Sequence, residues 1–131
     1  VAGYILFVCT ENAARSQMAE AFFNACNENR KYSAVSAGTK PVEVVKELAV
    51  QVMAEKGIDI DDRSPKKLRP GTVLRAEIII TMGCLEACPA SALAKSQDWQ
   101  IEDPSGKTIE VYRRVRDDVE RRVKELVANL A

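Results

Sequence analysis

The sequence predicts an α/β domain with a parallel sheet, and three observations predict it. Short apolar runs alternate along the chain with stretches of helical periodicity. Two of those runs, Tyr4-Ile5-Leu6-Phe7-Val8 and Ile78-Ile79-Ile80, are apolar at successive rather than alternate positions, the pattern of strands covered on both faces. The chain has 131 residues, 47% of them apolar, which suits a single core. Residues 1–131 are therefore expected to form one domain whose strands are joined by right-handed crossovers.

In chain order, Tyr4 to Val8 is the first strand. A short polar loop follows, then a helix expected from near Ser16 to about Asn29. Met18, Phe22 and Cys26 recur there at a spacing of four and share a face, so Cys26 is read as core. Tyr32 to Ala37 is a second strand ending at Gly38. Val42 to Lys56 is read as a helix on the stripe Val45, Leu48, Ala49, Val52 and Met53, stopped by Gly57. Asp59 to Gly71 is polar with two prolines, so loop, and Ala76 to Thr81 is the third strand. Gly83 to Ala94 fits no single pattern. Trp99-Gln100-Ile101 is expected as the fourth strand, and Asp103-Pro104-Ser105-Gly106 reads as a β-turn with Pro second and Gly fourth. Thr108 to Leu130 is the clearest helix, on the stripe Ile109, Tyr112, Val115, Val119, Val123, Leu126 and Leu130.

Lysine and arginine number 19, as do aspartate and glutamate, so charge makes no global case for a nucleic acid or an anionic membrane as partner. The cluster Arg63, Lys66, Lys67 and Arg69 is read as a solvated face. No apolar run is long enough for a membrane span, and the start of the chain lacks the basic lead of a secretory signal; a cytoplasmic protein is expected. There is no histidine, which removes a Cys-His nucleophile pair and the commonest metal ligand. The four cysteines, Cys9, Cys26, Cys84 and Cys88, are too sparse for a secreted disulfide framework. They are free, metal-bound or redox-active.

Ligands of parallel α/β sheets bind at the carboxyl ends of the strands. Cys9 follows the first strand, Cys84 the third and Asp103 the fourth, so three reactive residues converge on one edge. Cys9 opens the loop Cys9-Thr10-Glu11-Asn12-Ala13-Ala14-Arg15-Ser16, where a strand turns into a helix. Loop amides and the amino end of a helix both favour negative charge. Cys9 is therefore expected to act as a thiolate nucleophile without a histidine, on a small tetrahedral oxyanion bound by Thr10 to Ser16. Arg15 closes the loop with a planar fork that can hold two oxygens at once. Ser16 can donate to the sulfur, and Asn12 suits left-handed backbone and can brace the loop through its amide. Cys-x5-Arg alone also describes an inert cysteine beside a surface arginine. Its place between a buried strand and a helix, with Ser directly after Arg, is what points to chemistry.

Phe7-Val8-Cys9-Thr10-Glu11-Asn12-Ala13-Ala14-Arg15-Ser16-Gln17-Met18-Ala19-Glu20 resembles the phosphate loop of the low-molecular-weight protein tyrosine phosphatases, and more closely that of their relatives, the arsenate reductases. The resemblance continues through Ser36-Ala37-Gly38-Thr39, Gly57-Ile58-Asp59, Ile80-Thr81-Met82-Gly83-Cys84, Ala87-Cys88-Pro89, Trp99, Asp103-Pro104-Ser105-Gly106-Lys107 and Arg114-Val115-Arg116-Asp117-Asp118. It covers nearly the whole chain in order. It implies a flavodoxin-like, three-layer fold with a four-stranded parallel sheet. It also implies that Cys9 attacks arsenate, that a second thiol attacks the adduct and releases arsenite, and that a third resolves the product as a disulfide. An external thiol reductant, thioredoxin or a small thiol, would return the electrons, and no cofactor or metal is bound.

Cys84 and Cys88, four apart, would share one side if their segment is helical, and a disulfide between them is feasible with local adjustment. Cys84 is taken as the attacking thiol and Cys88 as the resolving one. The same pair could be inert core residues or half a zinc site, although zinc wants four ligands. Both families usually carry a second cysteine where Ala14 stands, and a small residue there also resembles the reductases that borrow a small thiol. The phosphatases usually have an aromatic residue where Ser105 follows Asp103-Pro104. Asp103 itself is either a carboxylic acid that protonates a leaving oxygen or simply the first residue of a good turn. The runner-up function is a phosphatase for phosphotyrosine or small aryl phosphates using Cys9, Arg15 and Asp103. A third reading is a module that binds an oxyanion without turning it over.

Overall fold

A computed structural model describes residues 3–27, 31–83 and 95–130. Among these residues eight elements follow one another: β1 (Gly3–Cys9), α1 (Arg15–Cys26), β2 (Tyr32–Gly38), α2 (Glu47–Ala54), α3 (Pro70–Arg75), β3 (Ala76–Thr81), β4 (Ser96–Asp98) and α4 (Ile109–Leu130). The four strands form one sheet in the order β2-β1-β3-β4, every pair parallel. The α/β fold with a four-stranded parallel sheet is as the sequence predicts.

Both faces of β1 are covered, which is why its apolar run is unbroken. Ile5, Phe7 and Cys9 point into the larger core with the apolar faces of α1, α2 and α4, while Leu6 and Val8 point into a smaller one with Ala37, Ala76 and Ile79. Leu68 and Val73, the latter from α3, cover that second face. Phe7 meets both Phe23 and Trp99 at a tilt, with interplanar angles of 60° and 52° and ring centroids 6.3 and 5.8 Å away, within the range of favourable aromatic pairs. The α4 stripe is buried as expected at Tyr112, Val115, Val119, Val123 and Leu126.

Several boundaries differ from the expectation. Helix α2 starts at Glu47 rather than Val42, because the preceding backbone is engaged elsewhere: Lys40, Val42 and Lys46 donate their N–H groups to the carbonyls of Thr10, Glu11 and Ala13. Tertiary hydrogen bonds to the Cys9 loop thus override the helical periodicity. The fourth strand is Ser96–Asp98, and the apolar Trp99 and Ile101 lie just past it as core residues. Only the Trp99 N–H, donating to Thr81 O, extends the ladder. A single turn of helix, α3, begins at Pro70 at the end of the expected loop, with Pro at a position that costs no hydrogen bond. Helix α1 ends at Cys26, where Asn27 turns to extended backbone. Its fully buried face ends at Phe23, so Cys26 is only half-buried, a correction to its reading as core. The turn after β4 closes from Pro104 to Lys107, one residue later than expected.

One ion-pair cluster ties α2 to α4. Glu55 accepts from Arg113 Nη2 at 2.8 Å and from Arg116 Nη1 at 2.6 Å. Hydrogen bonds from Arg113 first, then Arg116, hold its carboxyl at about 2, against an ordinary 4.5. Because the folded value is the lower one, the stabilisation is present above pH 4.5 and is lost as the pH falls towards 2. Glu55 and Arg113 are both exposed and their attraction is screened, although Arg116 is buried. Glu55→Gln should therefore lower Tm by a few degrees at most at pH 7, and the gap from the native chain should close by pH 2; a gap independent of pH in thermal melts would contradict this.

Candidate active site

The order β2-β1-β3-β4 puts a topological switch point between β1 and β3, since the chain leaves β1 in one direction and returns on the other side for β3. A crevice opens there beyond the strand ends. Cys9 ends β1, Arg15 starts α1, Met82 and Gly83 follow β3, and Asp103 follows β4. The structure thus brings Cys9, Arg15 and Asp103 to one edge. Cys84 and Cys88 lie outside the described residues.

The loop is almost wholly buried: Asn12, Ala13, Ala14, Arg15 and Ser16 all are, and Cys9 is 2% exposed. Gly38, beside it in the sheet, has to be glycine, because a Cβ there would stand 2.6 Å from Thr10 O. Helix α1 has no side chain capping its N-terminus and no acid in its first turn. Its first N–H groups and positive dipole end therefore remain available to an anion.

A chain of hydrogen bonds orients the donors around the sulfur. The backbone N–H of Lys66 can only donate, and it donates to Asn12 Oδ1 at 2.8 Å. Gln17 Nε2 reaches the same oxygen at 3.0 Å. The amide nitrogen of Asn12 must then face the other way, where it donates to Ser16 Oγ at 2.7 Å. Ser16 Oγ lies 2.9 Å from Cys9 Sγ; with one lone pair taken by Asn12, its hydroxyl hydrogen is free to turn to the sulfur once that is a thiolate, which can only accept. The Asn12 N–H adds a second donor at 3.3 Å, made possible by the left-handed conformation of Asn12 at φ 53°. Asn12 is left-handed and braces the loop through its amide, as expected, and Ser16 Oγ stands within hydrogen-bond reach of the sulfur. Reading the sequence did not single out Gln17, and it placed Lys66 only on a solvated face. A fully buried glutamine in the first turn of a helix is the sign that could have drawn attention to Gln17, but Lys66 acts through its backbone and leaves no trace in residue type.

Arg15 lies across the loop. Its Nη1 donates to Met82 O at 2.9 Å and, at 3.5 Å, to Ile101 O, while Nη2 stands 3.7 Å from Asp103 Oδ2. Gly83, at φ 79°, makes room: a Cβ there would fall 2.4 Å from Nη1. Burial alone would raise the Asp103 carboxyl, but the hydrogen bonds from Ser105 and the charge of Arg15 outweigh it and hold the group below its ordinary value. Asp103 Oδ1 accepts the Ser105 N–H at 3.0 Å, so the residue shapes its turn and faces the loop at once. Among the described residues no three His, Cys, Asp or Glu side chains gather as metal ligands. No helix among them is long and apolar enough to cross a membrane.

The family described as low molecular weight phosphotyrosine protein phosphatase matches residues 4–131. The chain belongs to this family. Among curated members, it is 33% identical over 130 residues to the glutaredoxin arsenate reductase of Synechocystis sp., covering 97% of this chain and 98% of that one. It is 35% identical over 125 residues to the arsenate reductase of Brevibacillus brevis, covering 92% and 91%. A solved structure described as an arsenate reductase in the phosphate-binding state superposes with a TM-score of 0.85 at 31% identity, covering 98% and 99%. The switch-point loop with its cysteine is therefore set in a family fold that includes both phosphatases and arsenate reductases.

The hydrogen-bond chain makes the loop's donors testable. A hydrogen bond to a charged group is worth ~1.5–3 kcal/mol. Ser16→Ala should therefore slow alkylation of Cys9 by iodoacetamide about 10–100-fold, and Asn12→Ala at least as much. Unchanged rates for both variants, read by peptide mass spectrometry, would remove the proposed orientation of donors.

Proposed function

We propose that this chain is an arsenate reductase working as a single low-molecular-weight phosphatase-like domain over residues 1–131. The observation that carries the reading is a buried Cys9 sulfur, with the Asn12 N–H aimed at it and the Ser16 hydroxyl beside it, at an uncapped helix N-terminus, in a chain whose curated relatives include arsenate reductases along almost their whole length. Amides of Thr10 to Ser16 and the Arg15 fork would hold three arsenate oxygens, and the Cys9 thiolate would attack arsenic. As the S–As bond forms, an As–O bond breaks, and the oxygen leaves as water.

Asp103 would handle that proton. Its carboxyl is held below the ordinary range while Arg15 faces it, so the free site carries it ionised at neutral pH. An arriving oxyanion offsets the charge of Arg15 and raises the affinity of Asp103 for a proton, which arsenate itself brings in. Cys84 would then attack the Cys9 sulfur. An S–S bond forms, the S–As pair stays on arsenic, and As(V) leaves as As(III) in arsenite. Cys88 would displace Cys9, leaving a Cys84–Cys88 disulfide: two thiols oxidised for one arsenate reduced. A thioredoxin, a glutaredoxin or a small thiol would return the two electrons; the Synechocystis relative is named for glutaredoxin. Chemistry that needs reduced thiols fits a cytoplasmic location.

Reduced protein mixed with one equivalent of arsenate should lose two free thiols, mapped to Cys84 and Cys88, and phosphate should cause no loss. No loss with arsenate, together with release of phosphate from an aryl phosphate, would favour the phosphatase built on Cys9, Arg15 and Asp103. Asp103→Asn should slow arsenate turnover about 10²–10⁴-fold if it is the proton donor. Turnover of both arsenate and an aryl phosphate at the native rate would remove that role.

A further inference from the structure

We propose that Glu11 and Ser105 form a bridge across the mouth of the anion loop that selects free tetrahedral oxyanions against esters carrying an organic group. The inference deepens the arsenate reductase reading and rests on it for the identity of the oxyanion. A glutamate is an odd residue in a loop whose amides attract anions, since its charge opposes theirs. Here that charge is tied down. Ser105 Oγ donates to Glu11 Oε1 at 3.2 Å, and Lys46 Nζ stands 3.6 Å from the same oxygen. Ser105 belongs to the Asp103 turn through its N–H, and Lys46 is bound to the loop through its own N–H on Ala13 O. One carboxylate oxygen therefore joins the anion loop, the approach to α2 and the Asp103 turn.

The place of this bridge gives it a consequence. In-line displacement at a tetrahedral centre puts the leaving oxygen opposite the attacking sulfur. The other oxygens face the loop amides and Arg15, so any organic substituent must project away from Cys9, on the side where Asp103 stands over Arg15. For a free oxyanion that apical group is a single hydroxyl. An aryl group would have to pass the strap from loop to turn. The buried Tyr112 phenol nearby is pushed up by burial, then by the charges of Asp103 and Glu11. No aromatic platform stands at Ser105 itself.

The test uses the full, reduced chain and protection of Cys9 from iodoacetamide by inorganic phosphate or phenyl phosphate, read by peptide mass spectrometry. A favourable or clashing contact discriminates ligands by about 10–200-fold, so the native chain should be half-protected by phosphate at a concentration at least about tenfold below that of phenyl phosphate. Glu11→Ala and Ser105→Ala should each cut that preference to about threefold or less, whereas Glu11→Gln, which keeps an oxygen for Ser105, should retain it. Equal protection of the native chain by both ligands overturns the proposal, as does a preference that survives both alanine variants. A Glu11→Gln variant as relaxed as Glu11→Ala assigns the effect to charge alone and overturns the bridge. Absence of protection by phosphate removes the anion site and the proposal with it. Protection reads binding only, so loss of the reductase reading in the thiol count would leave this ratio untouched.

Discussion

Asn12 holds the site together through two constraints acting at once. Its backbone is left-handed, which turns its own N–H towards the Cys9 sulfur. Its side chain is locked by a donor that cannot reverse, the Lys66 N–H. Asparagine is among the few residues that tolerate left-handed backbone, and of those it alone combines an acceptor for Lys66 with a donor for Ser16 in one rigid amide. Loss of either constraint would free the Ser16 hydroxyl to point elsewhere and leave the sulfur with fewer donors.

The surrounding fold is organised to keep that loop in place. Segment 40–46 gives its backbone donors to loop carbonyls instead of extending α2. On the other side, Glu20 is buried and pairs with both Arg63 and Lys66 while accepting from Ser36, which anchors the strand of chain that supplies the Lys66 N–H. A buried carboxylate is costly unless paired and hydrogen-bonded, and here it is both. The functional loop is held because segment 40–46 satisfies its backbone carbonyls, at the expense of regular structure of its own, and the Lys66 N–H locks the Asn12 side chain.

That exchange explains what the sequence could convey. Buried parallel strands announce themselves through unbroken apolar runs, so β1 and β3 were legible, and the α4 stripe was legible through its period. The Cys9 loop was legible because its chemistry resides in side-chain types at fixed spacing. The start of α2 was not, because Val45, Ala49 and Val52 keep helical spacing whether or not the residues before them are helical. The fourth strand was displaced for a similar reason: Ser96–Asp98 carries no apolar signal, and the apolar pair beyond it marks burial rather than pairing. Lys66 and Gly83 contribute a backbone N–H and an absent Cβ, neither of which residue type can advertise.

Gly83 also shows how Arg15 can be both anchored and ready. Its Nη1 is committed to the carbonyl of Met82, just past β3, in a position that a Cβ on residue 83 would crowd. Its Nη2 meets Asp103 at 3.7 Å, beyond hydrogen-bond length, an attraction of charges that a doubly hydrogen-bonded oxyanion can replace. The guanidinium therefore need not leave its anchor to receive a ligand. Its orientation is settled by folding, and the entropy of fixing a long side chain is lost before the oxyanion arrives rather than on binding. Binding then changes chiefly the charge that Asp103 faces, which is the change a proton-transferring carboxylate on that turn requires.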